Sequence, residues 1–188
     1  MAQYLRDKDT RISPTVGTYA LMALAGLPDG EGVSSLAALA ADPNVPVAHK
    51  TAGPFQMLAQ ASAEHVQAGK ALVELAQARQ IPDQAWNAVA NALAGKHWQF
   101  PSRLPDGTLP GKHAAEVSDA GAPFVRGFYD DQRHVLYEER AVAGTWSAPQ
   151  VRQQLALIET LLGATHAPAA AQALQQARET LQGKVMRR

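Results

Sequence analysis

Two stretches of this chain repeat each other at a distance of 36 residues. Leu36-Ala37-Ala38-Leu39-Ala40 recurs as Leu72-Val73-Glu74-Leu75-Ala76. Nine residues after each leading leucine, an aliphatic residue precedes a proline: Val45-Pro46 and Ile81-Pro82. A fixed period of this size marks a supersecondary brick that cannot bury its apolar face alone and stacks on its neighbours. Leu36, Leu39 and Ala40 fall at i, i+3 and i+4, one face of a helix. Asp42-Pro43-Asn44 cannot continue that helix. Pro46 and Pro82 suit the first turn of the next one, where the missing N–H would be unpaired anyway. The pattern predicts two helices joined by a short turn.

Composition agrees with a helical reading. The chain holds 37 alanines and 16 glutamines against 3 isoleucines, so strong helix formers dominate and β-branched residues are scarce. Small side chains along helix faces allow close interhelical packing. Few lysines beside many alanines and glutamines give the profile of a high-GC bacterial chain.

The stretch Leu36–Leu58, LAALAADPNVPVAHKTAGPFQML, resembles the HEAT and armadillo class of helical repeats, and Leu72–Gly95 resembles a second copy. The Asp-Pro turn is present in the first copy only; the second has Ala78-Arg79. The resemblance spans about residues 12–95 and extends to 147–183 if the last helices form a further repeat. It implies an all-α fold: a right-handed stack of antiparallel helix pairs, a HEAT-like α-solenoid. It also implies a protein-interaction role.

Other signals set the boundaries. Ser13-Pro14 reads as a cap and first helical residue, with a stop at Gly26 and Pro28-Asp29-Gly30. Gly53-Pro54 lies inside the expected second helix of the first block and predicts a kink or restart there, at ~3 kcal/mol if uncompensated. Ser62 is the expected cap of a long helix reaching Gln80. Ser147-Ala148-Pro149-Gln150 is a capping-box pattern opening a helix whose apolar stripe is Val151, Leu155, Ile158, Leu161 and Leu162. Gly163 ends it. A second helix follows from Thr165–Pro168 to Gly183, with Leu174, Ala177 and Leu181 inward and Gln172, Gln175, Gln176 and Arg178 outward.

Between these helical regions the character changes. Residues 95–149 hold 11 of the chain's 26 glycines and prolines and seven of its eleven aromatics. That density of breakers excludes long regular elements before Lys112. Phe124–Tyr129 and His134–Glu138 flank Asp130-Asp131-Gln132-Arg133 and read as a β-hairpin, the only β structure expected. A short helix over Asp131–Ala143 is the competing reading. The expected organisation is therefore a helical-repeat region over 1–95, an irregular insertion over 96–146 with a hairpin at 124–138, a C-terminal helical hairpin over 147–183 on the same domain, and a basic tail over 184–188.

Charge and motifs narrow the function classes. Seventeen basic and seventeen acidic side chains give a net charge of zero, with no basic excess to track phosphates, so no nucleic-acid partner is expected. No apolar run approaches the ~18 residues of a membrane span. Met1–Ile12 lacks the apolar core of a signal peptide, which leaves cytoplasm and periplasm both open. The absence of cysteine excludes thiol catalysis and thiolate zinc sites. No nucleotide, zincin or nucleophile-elbow motif occurs, and no cofactor is expected.

Two functional readings follow. The first is a non-catalytic helical module that binds another protein, part of a larger protein or assembly. Its candidate contact residues are the aromatics Trp98, Phe100, Phe128, Tyr129, Tyr137 and Trp146, the residue types that anchor interfaces. The second is a small-molecule or metal-binding enzyme with a pocket between the helices and residues 97–146, lined by Tyr129, His134, Tyr137 and Glu138. His134 and Glu138 share one face of a helix or strand, and imidazole with carboxylate suits a divalent metal. Against this, Arg126, Arg133 and Arg140 stand ready to pair those carboxylates. Asp106, His113, Glu116 and Asp119 form a second set with nothing to fix their geometry.

Overall fold

A computed structural model describes residues 14–43, 53–99, 124–129 and 135–185. The chain divides into two compact units, Met1–Ala94 with Ser147–Arg188, and Gly95–Trp146. Seven α-helices occur among the described residues, all in the first unit, so the protein is mostly helical.

In the first unit α1 (Pro14–Ala25) leads through a 3-10 turn at Pro28–Gly30 into α2 (Val33–Ala41). α1 ends where expected, with the Gly26 N–H donating to the Met22 carbonyl. The corner into α2 needs a glycine: a Cβ on Gly32 would stand 1.9 Å from the Leu24 carbonyl oxygen. α2 buries Val33, Leu36, Leu39 and Ala40, the face read from the repeat.

α3 (Pro54–Ala61) starts at Pro54 rather than bending there. Gly53 is its N-cap and Pro54 its first residue, the place where proline costs nothing. Phe55, Met57, Leu58 and Ala59 have no exposed surface at all, and Gln56 is buried with them. α3 is in contact with α1, α2, α4 (Val66–Gln77) and α5 (Trp86–Leu93). With seven of its eight residues buried and four helices against it, α3 is the centre of this unit.

Ser62 closes α3 instead of opening the next helix; its N–H donates to the Leu58 carbonyl. α4 opens at Val66 and buries Ala68, Gly69, Leu72, Leu75 and Ala76. It ends in a Schellman turn, the Arg79 N–H donating to Ala76 O and the Gln80 N–H to Leu75 O. Arg79 therefore sits at φ 55°, a left-handed position usually given to glycine. For a side chain with a Cβ this costs roughly 1–2 kcal/mol. A 3-10 turn at Asp83–Ala85 leads into α5, which buries Trp86, Val89, Ala90, Ala92 and Leu93.

α2 and α4 end at Ala41 and Gln77, 36 residues apart, whereas α3 and α5 begin at Pro54 and Trp86, 32 apart. The partners differ too. α2 packs on α3, but α4 lies on α2, α3 and α6 (Ala148–Ala164), while α5 lies on α3 and α7 (Pro168–Val185).

The capping box at the start of α6 is present: the Gln150 N–H donates to Ser147 Oγ at 3.4 Å, and the Ser147 N–H to Gln150 Oε1 at 2.9 Å. Its buried stripe is Val151, Gln154, Ile158 and Leu161; Leu155 and Leu162, expected inward, are only half-buried. Gly163 does not stop the helix, which runs to Ala164, and Gly183 lies within α7. α7 turns Ala170, Ala173, Leu174, Ala177 and Leu181 inward against α5 and α6. Each fully buried leucine here contributes about 1.5–3 kcal/mol.

The second unit carries a three-stranded antiparallel sheet of order β1–β3–β2: β1 (Lys96–Gln99), β2 (Phe124–Tyr129) and β3 (Val135–Ala141). β2 and β3 pair as the hairpin strands, with Phe128 opposite Tyr137, which removes the competing helix over Asp131–Ala143. β1 was not foreseen; it adds a third strand, with His97 opposite Arg140. Gly95 makes its entry possible. It sits at φ 86°, and a Cβ there would meet that of Ala143 at 2.4 Å. Its carbonyl accepts from the Val142 N–H at 2.7 Å.

Candidate functional site

An open, apolar concavity of the first unit runs between α4 and α6, with a volume of about 470 Å³. Its floor depends on a missing side chain. Gly69 faces Leu157, and a Cβ there would lie 3.1 Å from Leu157 Cδ2. The two helices approach closely at this point because one of them carries only hydrogen. Val66 and Val73 form the α4 wall and Ala156 the α6 wall, with Lys70 and Glu74 on the rim. Val66 is 53% exposed, an aliphatic side chain left in water at the mouth of an apolar groove.

A buried polar clasp holds the groove's walls in place. The Ser62 hydroxyl donates to the Ala59 carbonyl at 2.6 Å and accepts from Gln154 Nε2 at 3.1 Å. Gln153 Nε2 donates to the Ser62 carbonyl at 2.6 Å, and Gln150 Nε2 to that of Ala63 at 3.4 Å. Three glutamines of α6 thus grip the end of α3 and the turn into α4. Gln154 and Ser62 are out of water, and Gln154 has its hydrogen bonds from Ser62, which also keeps the Ala59 carbonyl.

The residues singled out from sequence fall elsewhere. Trp98 lies on β1 and Trp146 beyond β3, and both are buried, at 8% and 6% exposure. The Trp146 ring meets that of His97 at 5.5 Å, tilted by 56°. Phe128 and Tyr129 belong to β2, Tyr137 and Glu138 to β3. The register sets Phe128 opposite Tyr137, and Glu138 opposite both Gln99 and Gly127. Phe100 and His134 lie outside the described residues, as do Asp106, His113, Glu116 and Asp119. Among the described residues no three histidines or carboxylates gather as a metal would require. None of the described helices is long and apolar enough to cross a membrane.

The α4–α6 groove was missed in the sequence. Val66, Gly69 and Val73 share one face of α4, but Leu157, which completes the groove, comes from α6, far along the chain. One signal was available: Gly69 inside an otherwise strong helical pattern, since a glycine there costs about 1 kcal/mol against alanine unless a close approach requires it.

Comparison with protein-family models, with curated proteins and with solved structures finds no match to this chain.

Proposed function

We propose that the helical unit is a non-catalytic module that binds another protein, taking one apolar face of a partner helix into the α4–α6 groove. The observation that carries this reading is the exposed Val66 at the mouth of a concavity floored by Gly69 and Leu157. Helix-in-groove recognition needs such a floor, flanked by polar side chains that set register. Lys70 and Glu74 supply one charge of each sign on the rim. A single partner leucine seated there would contribute about 1.5–3 kcal/mol.

The HEAT or armadillo kinship is a finer part of the same proposal. The common offset of the α2 and α4 ends supports it. The enclosed position of α3, and the separate partners of α4 and α5, favour a bundle of irregular helices instead.

The test is a photo-crosslinking residue at Val66 in the full chain, used in extract of the native source. Cross-links should map to one helix-forming segment of one protein. Purified, that protein should bind at least about tenfold more weakly (~1.4 kcal/mol) to a Val73→Glu variant with unchanged melting. Cross-links scattered over many proteins, or equal binding by the variant, refute the reading.

A further inference from the structure

A second cavity of about 240 Å³ opens where the connection from α4 to α5 meets the connection from α6 to α7. Arg79 and Asp83 line it from the first connection, Thr165 and His166 from the second, over the buried Ile81 and Trp86. Arg79, Asp83 and His166 are exposed, and none of their side chains has a hydrogen-bond or ion-pair partner among the described residues. Arg79 and Asp83 stand four positions apart, yet they do not close a salt bridge on each other. The Thr165 hydroxyl accepts from the Ala167 N–H at 3.4 Å, which leaves its own proton to donate.

The cavity therefore presents one guanidinium, one carboxylate and one imidazole, with unused bonding capacity beside an apolar floor. Its guanidinium belongs to the residue held in the left-handed region at the end of α4. Glycine would satisfy that turn without strain. Backbone strain at a residue whose side chain lines a cavity is a reason to ask what the side chain does.

We infer that this cavity binds a small zwitterion of the amino-acid class. Arg79 takes its carboxylate, with the Thr165 hydroxyl and the His166 imidazole as further partners. Asp83 takes its ammonium, and its apolar side chain lies against Ile81 and Trp86. A guanidinium offers a planar fork that fits a carboxylate. A lone anion would face Asp83 unfavourably, and a lone cation would face Arg79, so the pair of charges selects a ligand carrying both. The volume is below the 300–1,000 Å³ common for drug-sized ligands and suits a small one. The site is separate from the α4–α6 groove and does not depend on protein binding there.

Leucine is the probe, titrated into the full chain and followed by the indole N–H of Trp86 and the amides of Thr165–Ala167 in nitrogen–proton correlation spectra. Saturable shifts in the millimolar range are expected. Leucinamide and 4-methylpentanoate, each lacking one charge, should bind at least about tenfold more weakly, a difference of ~1.4 kcal/mol. Arg79→Gly should lose binding by at least the same factor while raising the melting temperature, so that lost affinity cannot be blamed on lost folding. No saturable shift with leucine, equal binding by either analogue or by inorganic phosphate, or unchanged affinity in Arg79→Gly overturns the inference.

Discussion

Gly32→Ala and Gly163→Ala are the same chemical change, and they should move stability in opposite directions. Both glycines stand in or beside helices, at backbone angles or positions where alanine is ordinarily the better residue. Around Gly163 nothing lies within 4 Å of the new methyl. Alanine there gains helix propensity and reduces unfolded-state freedom, for a stabilisation of about 0.5–1 kcal/mol. At Gly32 the methyl would meet the Leu24 carbonyl oxygen at 1.9 Å, its carbon at 2.6 Å and the Leu24 Cα at 2.9 Å. All three are backbone atoms, so no rotamer change relieves the clash. Ordinary contact begins near 3.4 Å, so α1 and α2 must part by about 1.5 Å at their corner. That separation loosens Leu21 and Met22 on one side and Val33 and Leu36 on the other, all buried. Overpacking of this kind costs about 3 kcal/mol; less the gain from removing a glycine, ~2–3 kcal/mol of destabilisation remains. For a chain of this size that corresponds to a melting point lower by on the order of 5–10 °C. Urea unfolding followed by circular dichroism at the helix band measures both variants. A Gly32→Ala protein as stable as the parent would refute the close approach of α1 and α2.

Substitutions at three further positions probe other joints. Ser147→Ala removes the capping box of α6 and should cost ~1 kcal/mol in the same urea experiment. Gln154→Ala empties a fully buried site and strips Ser62 of a partner, for roughly 2–4 kcal/mol. Gln154→Leu keeps most of the volume, and the Ser62 hydroxyl keeps the Ala59 carbonyl, so its cost should stay within about 1 kcal/mol; equal losses for the two would show that the hydrogen bonds, not the packing, matter at this position. Gly95→Ala drives a methyl into Ala143 at a left-handed position and should cost at least ~2 kcal/mol, read as loss of slow exchange at the Val142 amide.

The helices were legible wherever local chemistry sets them. Leu36 and Leu39 of α2, Leu72 and Leu75 of α4, and Leu174, Ala177 and Leu181 of α7 are buried as their spacing implies. The Ser147 cap and the stop at Gly26 are local devices, and both are present. What failed depends on partners remote in sequence. Gln154 sits in the core because Ser62, 92 positions away, completes it; polarity alone would place it outward, and Leu155 took its place in the expected stripe. β1 is four residues, Lys-His-Trp-Gln, with no alternation to announce it. It is a strand because β3 offers an edge and Gly95 allows the turn. The groove is likewise a product of two distant helices and one absent side chain.

The 36-residue correspondence and the enclosed α3 make different demands on the same segment. In a stack of identical pairs every helix keeps one stripe for its neighbours and one for water. α3 has no such stripe, since seven of its eight residues are buried, Gln56 among them. Its counterpart α5 buries five of eight and starts 32 residues later, four short of the period. The connection from α4 to α5 is therefore four residues shorter than that from α2 to α3. Both α4 and α5 lie on α3, but α4 adds α2 and α6 where α5 adds α7. The leucine pattern common to α2 and α4 then records a shared way of docking one helix against α3, since both lie on it and on each other. A common period in sequence follows from two helices meeting the same central surface, and it does not by itself require that what comes after each of them repeat as well.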